Sequence, residues 1–204
     1  MKQRPFLAVV ALLAFASCGL AERDDEGSKS YEYLTFIDPK FEAYCLESFD
    51  TNYDGRLSRY EAESVRVVEC PNQGIRSLAP IDAFSRLETL NCAHNEIERI
   101  TLTKNLQLVS IDCSSNPLTE LSLGRLRRLE SLDCHNNQLT TLDLQYTSSL
   151  RWLDCRQNRL STLDLTACSP LLQADTRLNP DLTIIYRRAE QQVNFDAPSS
   201  VIGR

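Results

Sequence analysis

The stretch LESLDCHNNQLTTLDL at residues 129–144 returns, 21 residues later, as LRWLDCRQNRLSTLDL at 150–165. Outward from these two copies the same columns continue without slippage. They are Leu87, Leu108, Leu129, Leu150 and Leu171; Leu90, Ile111, Leu132, Leu153 and Ala174; Cys92, Cys113, Cys134, Cys155 and Thr176; and Asn95, Asn116, Asn137, Asn158 and Asn179. The later half of each copy repeats as well. Ile97, Leu118, Leu139 and Leu160 lead to Ile100, Leu121, Leu142, Leu163 and Ile184, then to Leu102, Leu123, Leu144 and Leu165. A first turn one residue longer reads at Val65, Val68, Cys70, Ile75 and Leu78. One copy cannot bury its alternating apolar positions alone, so consecutive copies must stack and share an interior. The pattern predicts a β-rich, right-handed solenoid with a parallel ladder. Leu90-x-Cys92 and its equivalents form the strands of one sheet, and Ile100-x-Leu102 and its equivalents form a second extended edge on the opposite side.

The consensus L-x-x-L-x-C-x-x-N-x-L-x-x-L-D-L, carried over residues 65–186, resembles bacterial leucine-rich-repeat proteins of the 21-residue class. The resemblance implies a leucine-rich-repeat solenoid whose outward side chains on the strand-bearing concave sheet carry recognition. The Asn column suits a buried amide that satisfies backbone groups at the bend after each strand. The cysteines at 92, 113, 134 and 155 point inward as small hydrophobes. Parallel rows about 4.8 Å apart are poorly placed for disulfides, and four thiols in a line cannot converge on one metal ion.

Ahead of the repeats, residues 50–61 read Asp-Thr-Asn-Tyr-Asp-Gly-Arg-Leu-Ser-Arg-Tyr-Glu and fill every position of an EF-hand calcium loop. Asp50, Asn52 and Asp54 supply side-chain oxygens, Arg56 its carbonyl, Ser58 a direct or water-mediated contact, and Glu61 a bidentate carboxylate. Gly55 permits the sharp turn. Asp38 and Pro39 read as N-cap and first helical residue, with Phe41, Cys45 and Phe49 on one face. Tyr60, Val65 and Val68 predict an exiting helix. No second loop is present, so the expectation is a calcium-stabilised cap on the open N-terminal edge of the solenoid. A Kd of about 0.1–1 mM suffices where calcium is millimolar.

Composition places the chain among globular proteins: 204 residues, 42% hydrophobic and 25% charged. Lys2 and Arg4 precede an apolar run from Phe6 to Ala16, the length of a signal-peptide core and too short to span a bilayer. Phe15-Ala16-Ser17-Cys18 resembles a bacterial lipobox, which implies lipidation of Cys18. The acidic run Glu22, Asp24, Asp25 and Glu26 resembles the surface-export signal of Bacteroidetes-type lipoproteins. Ordinary cleavage near residues 14–16 or 19–21, without lipid, is the alternative. The organisation expected is a lipoprotein signal peptide (1–17), an acidic tether (18–35), an EF-hand-like cap (36–64), leucine-rich repeats (65–186) and a C-terminal tail (187–204). The localisation expected is the cell envelope of a bacterium, lipid-anchored at the outer membrane or cell surface. Residues 22–63 hold 12 acids and 5 bases, whereas residues 64–204 hold 16 and 15. No basic stripe of the sort that binds nucleic acid is present.

The outward columns of the first sheet are Thr89, Ser110, Ser131, Trp152 and Gln173; Asn91, Asp112, Asp133, Asp154 and Asp175; and Ala93, Ser114, His135, Arg156 and Arg177. Trp152, the single tryptophan, with His135, Asp154, Arg156 and Arg177 near it, has the chemistry of an interface anchor. Its bland alternative is an aromatic lying across neighbouring rows. With two histidines in different columns and no nucleophile elbow, phosphate loop or HExxH, the chain carries no catalytic signature. The function expected is therefore non-enzymatic: adhesion to an extracellular or host protein, with calcium (Ca2+) holding the cap. The alternative is a calcium-dependent glycan-binding module with Trp152 as sugar platform; an enzyme of unknown class ranks third.

Overall fold

The computed structural model describes residues 32–194 and the backbone of 200–203. The expected leader and the expected tether up to residue 31, with Cys18, lie outside the described residues; residues 32–35, expected as the end of the tether, belong instead to the cap, where Tyr33 bridges to Ser58. Among the described residues no helix is long and apolar enough to cross a membrane.

Two helices come first, α1 (Pro39–Phe49) and α2 (Arg59–Ser64). The strands follow in order: β1 (Val67–Glu69), β2 (Thr89–Asn91), β3 (Arg99–Thr101), β4 (Ser110–Asp112), β5 (Glu120–Ser122), β6 (Ser131–Asp133), β7 (Trp152–Asp154), β8 (Thr162–Asp164), β9 (Gln173–Asp175), β10 (Ile184–Arg187), β11 (Gln192–Asn194) and β12 (Ser200–Gly203). One parallel sheet runs β1-β2-β4-β6-β7-β9-β11. Its register places Val68, Leu90, Ile111, Leu132, Leu153, Ala174 and Val193 side by side, which is the apolar column read from the sequence, first turn included, extended by Val193 at the C-terminal end. The chain is thus a leucine-rich-repeat solenoid in which each 21-residue turn contributes one strand.

Thiols and amides line the interior just past each strand. Cys70 heads the row of Cys92, Cys113, Cys134 and Cys155, and all five are free and fully buried. Burial pushes the Cys70 thiol up to about 12 and the other four well above the usual thiol range, so these groups stay protonated and inert. Cys45 and Cys168 are also free and buried. Next to the thiols, each Asn amide bridges rows. Asn116 Nδ2 donates to the carbonyls of Cys92, Cys113 and Ser114, while its Oδ1 accepts from Ile97 N at 3.0 Å. Asn95, Asn137, Asn158 and Asn179 repeat the arrangement, so the irregular backbone at every bend has its partners inside the fold. The residue ahead of each Asn is left-handed without being glycine: His94, Ser115, Asn136, Gln157 and Leu178 all lie at φ between 53° and 59°.

Four details differ from the expectation. The exiting helix ends at Ser64, because Val65 and Val68 are already the first two core positions of the solenoid. The second extended edge is not continuous: β3 pairs β5, and β10 pairs β8 on one side and β12 on the other, but Thr141–Asp143 between β5 and β8 is no strand. Lined by Thr119–Arg125, Thr141, Asp143 and Tyr146, a groove of about 390 Å³ opens at the break. Ile185, not Ile184, stands beside Leu163 and is the buried member of that column. Finally, the described residues of the segment 187–204, expected as a tail outside the repeats, carry the coil further. β11 extends the first sheet, β12 extends the second, and Gln191 fills a buried bend position by donating Nε2 to the carbonyls of Leu165 and Cys168.

The cap covers the open edge. Asp38 begins α1 by accepting from Lys40 N and Phe41 N through Oδ1, and its Oδ2 accepts from Arg76 N at 2.6 Å, which ties the helix to the first turn of the solenoid. Phe41 and Phe49 pack on Phe84, with centroids at 6.3 and 6.0 Å. The Tyr44 hydroxyl accepts from Glu69 N at 2.9 Å, so an edge amide of β1 that no strand pairs finds a partner.

Candidate functional site

Two places carry candidate chemistry, the loop between α1 and α2 and the outer face of the seven-stranded sheet. The loop is closed by hydrogen bonds of short range. Asp50 Oδ2 accepts from Gly55 N, Asn52 Oδ1 from Asp54 N, and Asp54 Oδ1 from Arg56 N, all at 2.9–3.0 Å. Gly55 sits at φ +77°, where a side chain would be strained. Ser58 and Glu61 form a reciprocal capping box that starts α2. Burial pushes the Glu61 carboxyl up, but hydrogen bonds from the amides and hydroxyls of Ser58 and Thr51 outweigh it and hold the group at about 2. Glu61 is therefore ionised at any physiological pH. Burial acts on Asp54 in the same sense and is likewise outweighed, by Asn52, Arg56 N and the Tyr33 hydroxyl, which lowers its pKa.

A partner for this lone loop comes from the chain just ahead of it. Leu34 N donates to Leu57 O and Arg59 N to Glu32 O, both at 2.8 Å, in an antiparallel bridge centred on Tyr33 and Ser58. The Arg56 guanidinium lies 3.7 Å above the Tyr33 ring, and Tyr33 donates its hydroxyl to Asp54 Oδ2. The donor set suits a hard cation: carboxylates at Asp50, Asp54 and Glu61, the Asn52 amide, the Ser58 hydroxyl and the Arg56 carbonyl. One oxygen bears directly on the fit. Asp50 Oδ1 is buried and has no hydrogen-bond partner, the condition of a carboxylate oxygen that a cation would satisfy.

On the sheet face, the Asp column first has a local duty. Asn91, Asp112, Asp133, Asp154 and Asp175 each accept through Oδ1 from the amide two residues on, at 3.0–3.2 Å, which fixes the start of every bend. The residue held this way changes along the column. Ser114 adds its hydroxyl, His135 places Nδ1 2.7 Å from Asp133 Oδ1, and Arg156 and Arg177 lay their guanidinia on Asp154 and Asp175. Arg156 also reaches Asp175 at 3.8 Å. Burial pushes the Asp175 carboxyl up, but its bonds to Arg177 bring it below the usual range. For Asp133, burial prevails over the His135 contact and raises its pKa, with Asp112 adding to the rise.

Trp152 is 37% exposed at the head of β7, and Leu172, beside the head of β9, is 67% exposed. The residues singled out from the sequence, Trp152, Asp154, Arg156, Arg177 and His135, thus gather on one face over neighbouring rows. Leu172 escaped the sequence reading because it falls in a column of mixed character, Arg66, Glu88, Val109, Glu130, Arg151 and Leu172.

No family model and no curated protein matches the sequence. Solved structures do. The chain is similar to the functional domain of InlJ from Listeria monocytogenes, described as including a cysteine ladder, with a TM-score of 0.60 and 27% identity over 68% of this chain and 33% of that one. It is similar in fold to an internalin (inlF) from Listeria monocytogenes, with a TM-score of 0.61 and 16% identity over 80% of this chain and 52% of that one. The chain spans about a third of the InlJ domain's length. This solenoid carries its own buried row of cysteines along the interior, from Cys70 to Cys155.

Proposed function

We propose that the chain is a bacterial surface adhesion module, held to the cell envelope through a lipid on Cys18, which binds an extracellular or host protein across the outer face of the seven-stranded sheet. The observation that carries this reading is the pairing of exposed apolar anchors with arginines already held in place. Trp152 and Leu172 offer desolvatable area, and Asp154 and Asp175 fix Arg156 and Arg177 beside them. A guanidinium immobilised before contact loses little rotamer freedom on binding, and Trp and Arg are the residue types that dominate interface energetics. Calcium, bound by Asp50, Asn52, Asp54, Arg56 O, Ser58 and Glu61, would stiffen the cap that covers the first strand. It serves stability and takes no part in recognition.

Binding of the fluorescently labelled chain to intact host or neighbouring cells, read by flow cytometry, tests the reading. Binding should be lost when the cells are first treated with protease, and Trp152→Ala should weaken it at least about ten-fold, the effect of removing one hot-spot side chain. Binding that survives protease treatment but not glycosidase treatment would replace the protein partner with a glycan. Binding unchanged by Trp152→Ala would remove this face from recognition.

A further inference from the structure

Strand register sets Asp133 of β6 beside Asp154 of β7, and the bend after β6 brings His135 back over the same spot. One ligand atom from each of the three lies within 4.8 Å of the other two, and among the described residues they are the group of His, Cys, Asp and Glu side chains gathered this closely. We propose that Asp133, His135 and Asp154 form a site for a divalent transition metal of the zinc class, separate from the calcium loop and independent of whether a partner docks on this face.

The donor set favours this class. Imidazole nitrogen with two carboxylate oxygens is a ligand type for zinc and nickel, whereas calcium asks for six to eight oxygens. Bonds of about 2.0–2.2 Å put tetrahedral ligand atoms about 3.3 Å apart, so no pair needs to close by more than roughly 1.5 Å, while His135 Nδ1 and Asp133 Oδ1, now at 2.7 Å, open by roughly half an ångström, both within reach of side-chain rotation. His135 Nδ1 and Asp133 Oδ1 already face each other at 2.7 Å across a shared hydrogen, the position a metal takes when it displaces that proton. Their side chains are 26% and 20% exposed, open enough for an ion to enter.

Electrostatics points the same way. Four carboxylates stand one row apart at Asp112, Asp133, Asp154 and Asp175; the last two have arginines, and among the described residues Asp112 has no ion-pair partner and Asp133 has only His135. A bound cation would offset this stacked charge. Asp154 is occupied by Arg156, so metal and guanidinium compete for it. Arg156 has an alternative, because Asp175 Oδ2, which Arg177 also holds, is only 3.8 Å from its Nε and can accept from both guanidinia. With three protein ligands, at least one coordination position stays open towards solvent, where water or a donor from another molecule can bind.

Trp152, the chain's single tryptophan, stands on the same strand two residues before Asp154 and reports on the site. Titration of the folded chain with Ni2+ in calcium-containing buffer should quench its emission saturably at one equivalent, and Zn2+ should compete the nickel away. His135→Ala and Asp133→Asn should each weaken binding at least about ten-fold. Arg156→Ala should tighten it, because Asp154 is then released; a merely structural arginine would have no such effect. Thermal melts establish that each variant is folded. Quenching that does not saturate, or one midpoint shared by the parent chain and His135→Ala, would overturn the site. Weaker binding in Arg156→Ala would remove Asp154 from it.

Discussion

Replacing Asn137 by alanine should cost this protein about 3 kcal/mol, most of it from a single orphaned amide. Asn137 Nδ2 donates to the carbonyls of Cys113, Cys134 and His135 at 3.0–3.2 Å, and Oδ1 accepts from Leu118 N at 3.0 Å. All three carbonyls keep a second donor, Cys113 O from Asn116, Cys134 O from Asn158 and His135 O from Ser115 N. Leu118 N has no such reserve, and its residue is fully buried. An unsatisfied buried N–H costs about 1–3 kcal/mol, and the weakened carbonyl bonds add the remainder. Asn137→Asp separates hydrogen bonding from packing, since it keeps the volume and the acceptor for Leu118 N but turns an oxygen towards three carbonyls. It should destabilise at least as much as alanine. Urea unfolding followed by Trp152 emission and by far-ultraviolet circular dichroism measures both; 3 kcal/mol corresponds to a fall of about 6–12 °C in Tm for a domain of this size. A loss under about 1 kcal/mol for Asn137→Ala, or near-parental stability for Asn137→Asp, would refute the argument that these amides hold the rows by saturating the backbone.

The remaining expectations concern the cap and one turn. At 10 mM calcium, a Kd of about 0.1–1 mM gives a stabilisation of about 1.4–2.7 kcal/mol, so melts in calcium and in chelator should differ, Glu61→Ala should erase the difference, and equal melts would end the calcium proposal. Burial pushes the Asp38 carboxyl up, but its bonds from Arg76, Phe41, Lys40 and Ser77 amides outweigh it and hold its pKa below the unfolded value of 3.8. The stabilisation from Asp38 is therefore complete above that value and lost as pH falls below it; Asp38→Asn should flatten acid-induced melting in that window, and an unchanged profile would count against the link. Gly124 lies at φ +52°, and a Cβ there would stand 3.2 Å from Leu102 O and Thr103 Cα. Gly124→Ala should lower stability by about 1–2 kcal/mol in chemical denaturation, and a neutral result would mean that the turn can relax.

Periodicity made the first sheet readable to the residue, because a row that shifts by one would turn its leucines outward and its aspartates inward. The cap was readable for a different reason: Asp38, Pro39 and the loop from Asp50 to Glu61 are local signals that owe nothing to distant parts of the chain. What escaped were features that depend on neighbours. Gln191 acts as a bend residue only because Leu165 O and Cys168 O need a donor, and its own stretch shows no period. The left-handed column at His94, Ser115, Asn136, Gln157 and Leu178 lacks the glycines that would have announced it. The bridge from Glu32–Leu34 to the loop, and the closeness of His135 to Asp133, arise from tertiary placement and a bend geometry for which one-letter columns have no symbol.

Every Asn amide reaches its own row and the one before, and no farther. Such a chain is assembled like masonry, with each course bonded only to the course beneath. Whole courses can be inserted or removed by duplicating or deleting 21 codons without disturbing those outside the seam, while the outward faces of the new courses vary freely. The length of the wall, and with it the span of any surface it can grip, is then open to evolutionary adjustment in a way that the interior chemistry is not.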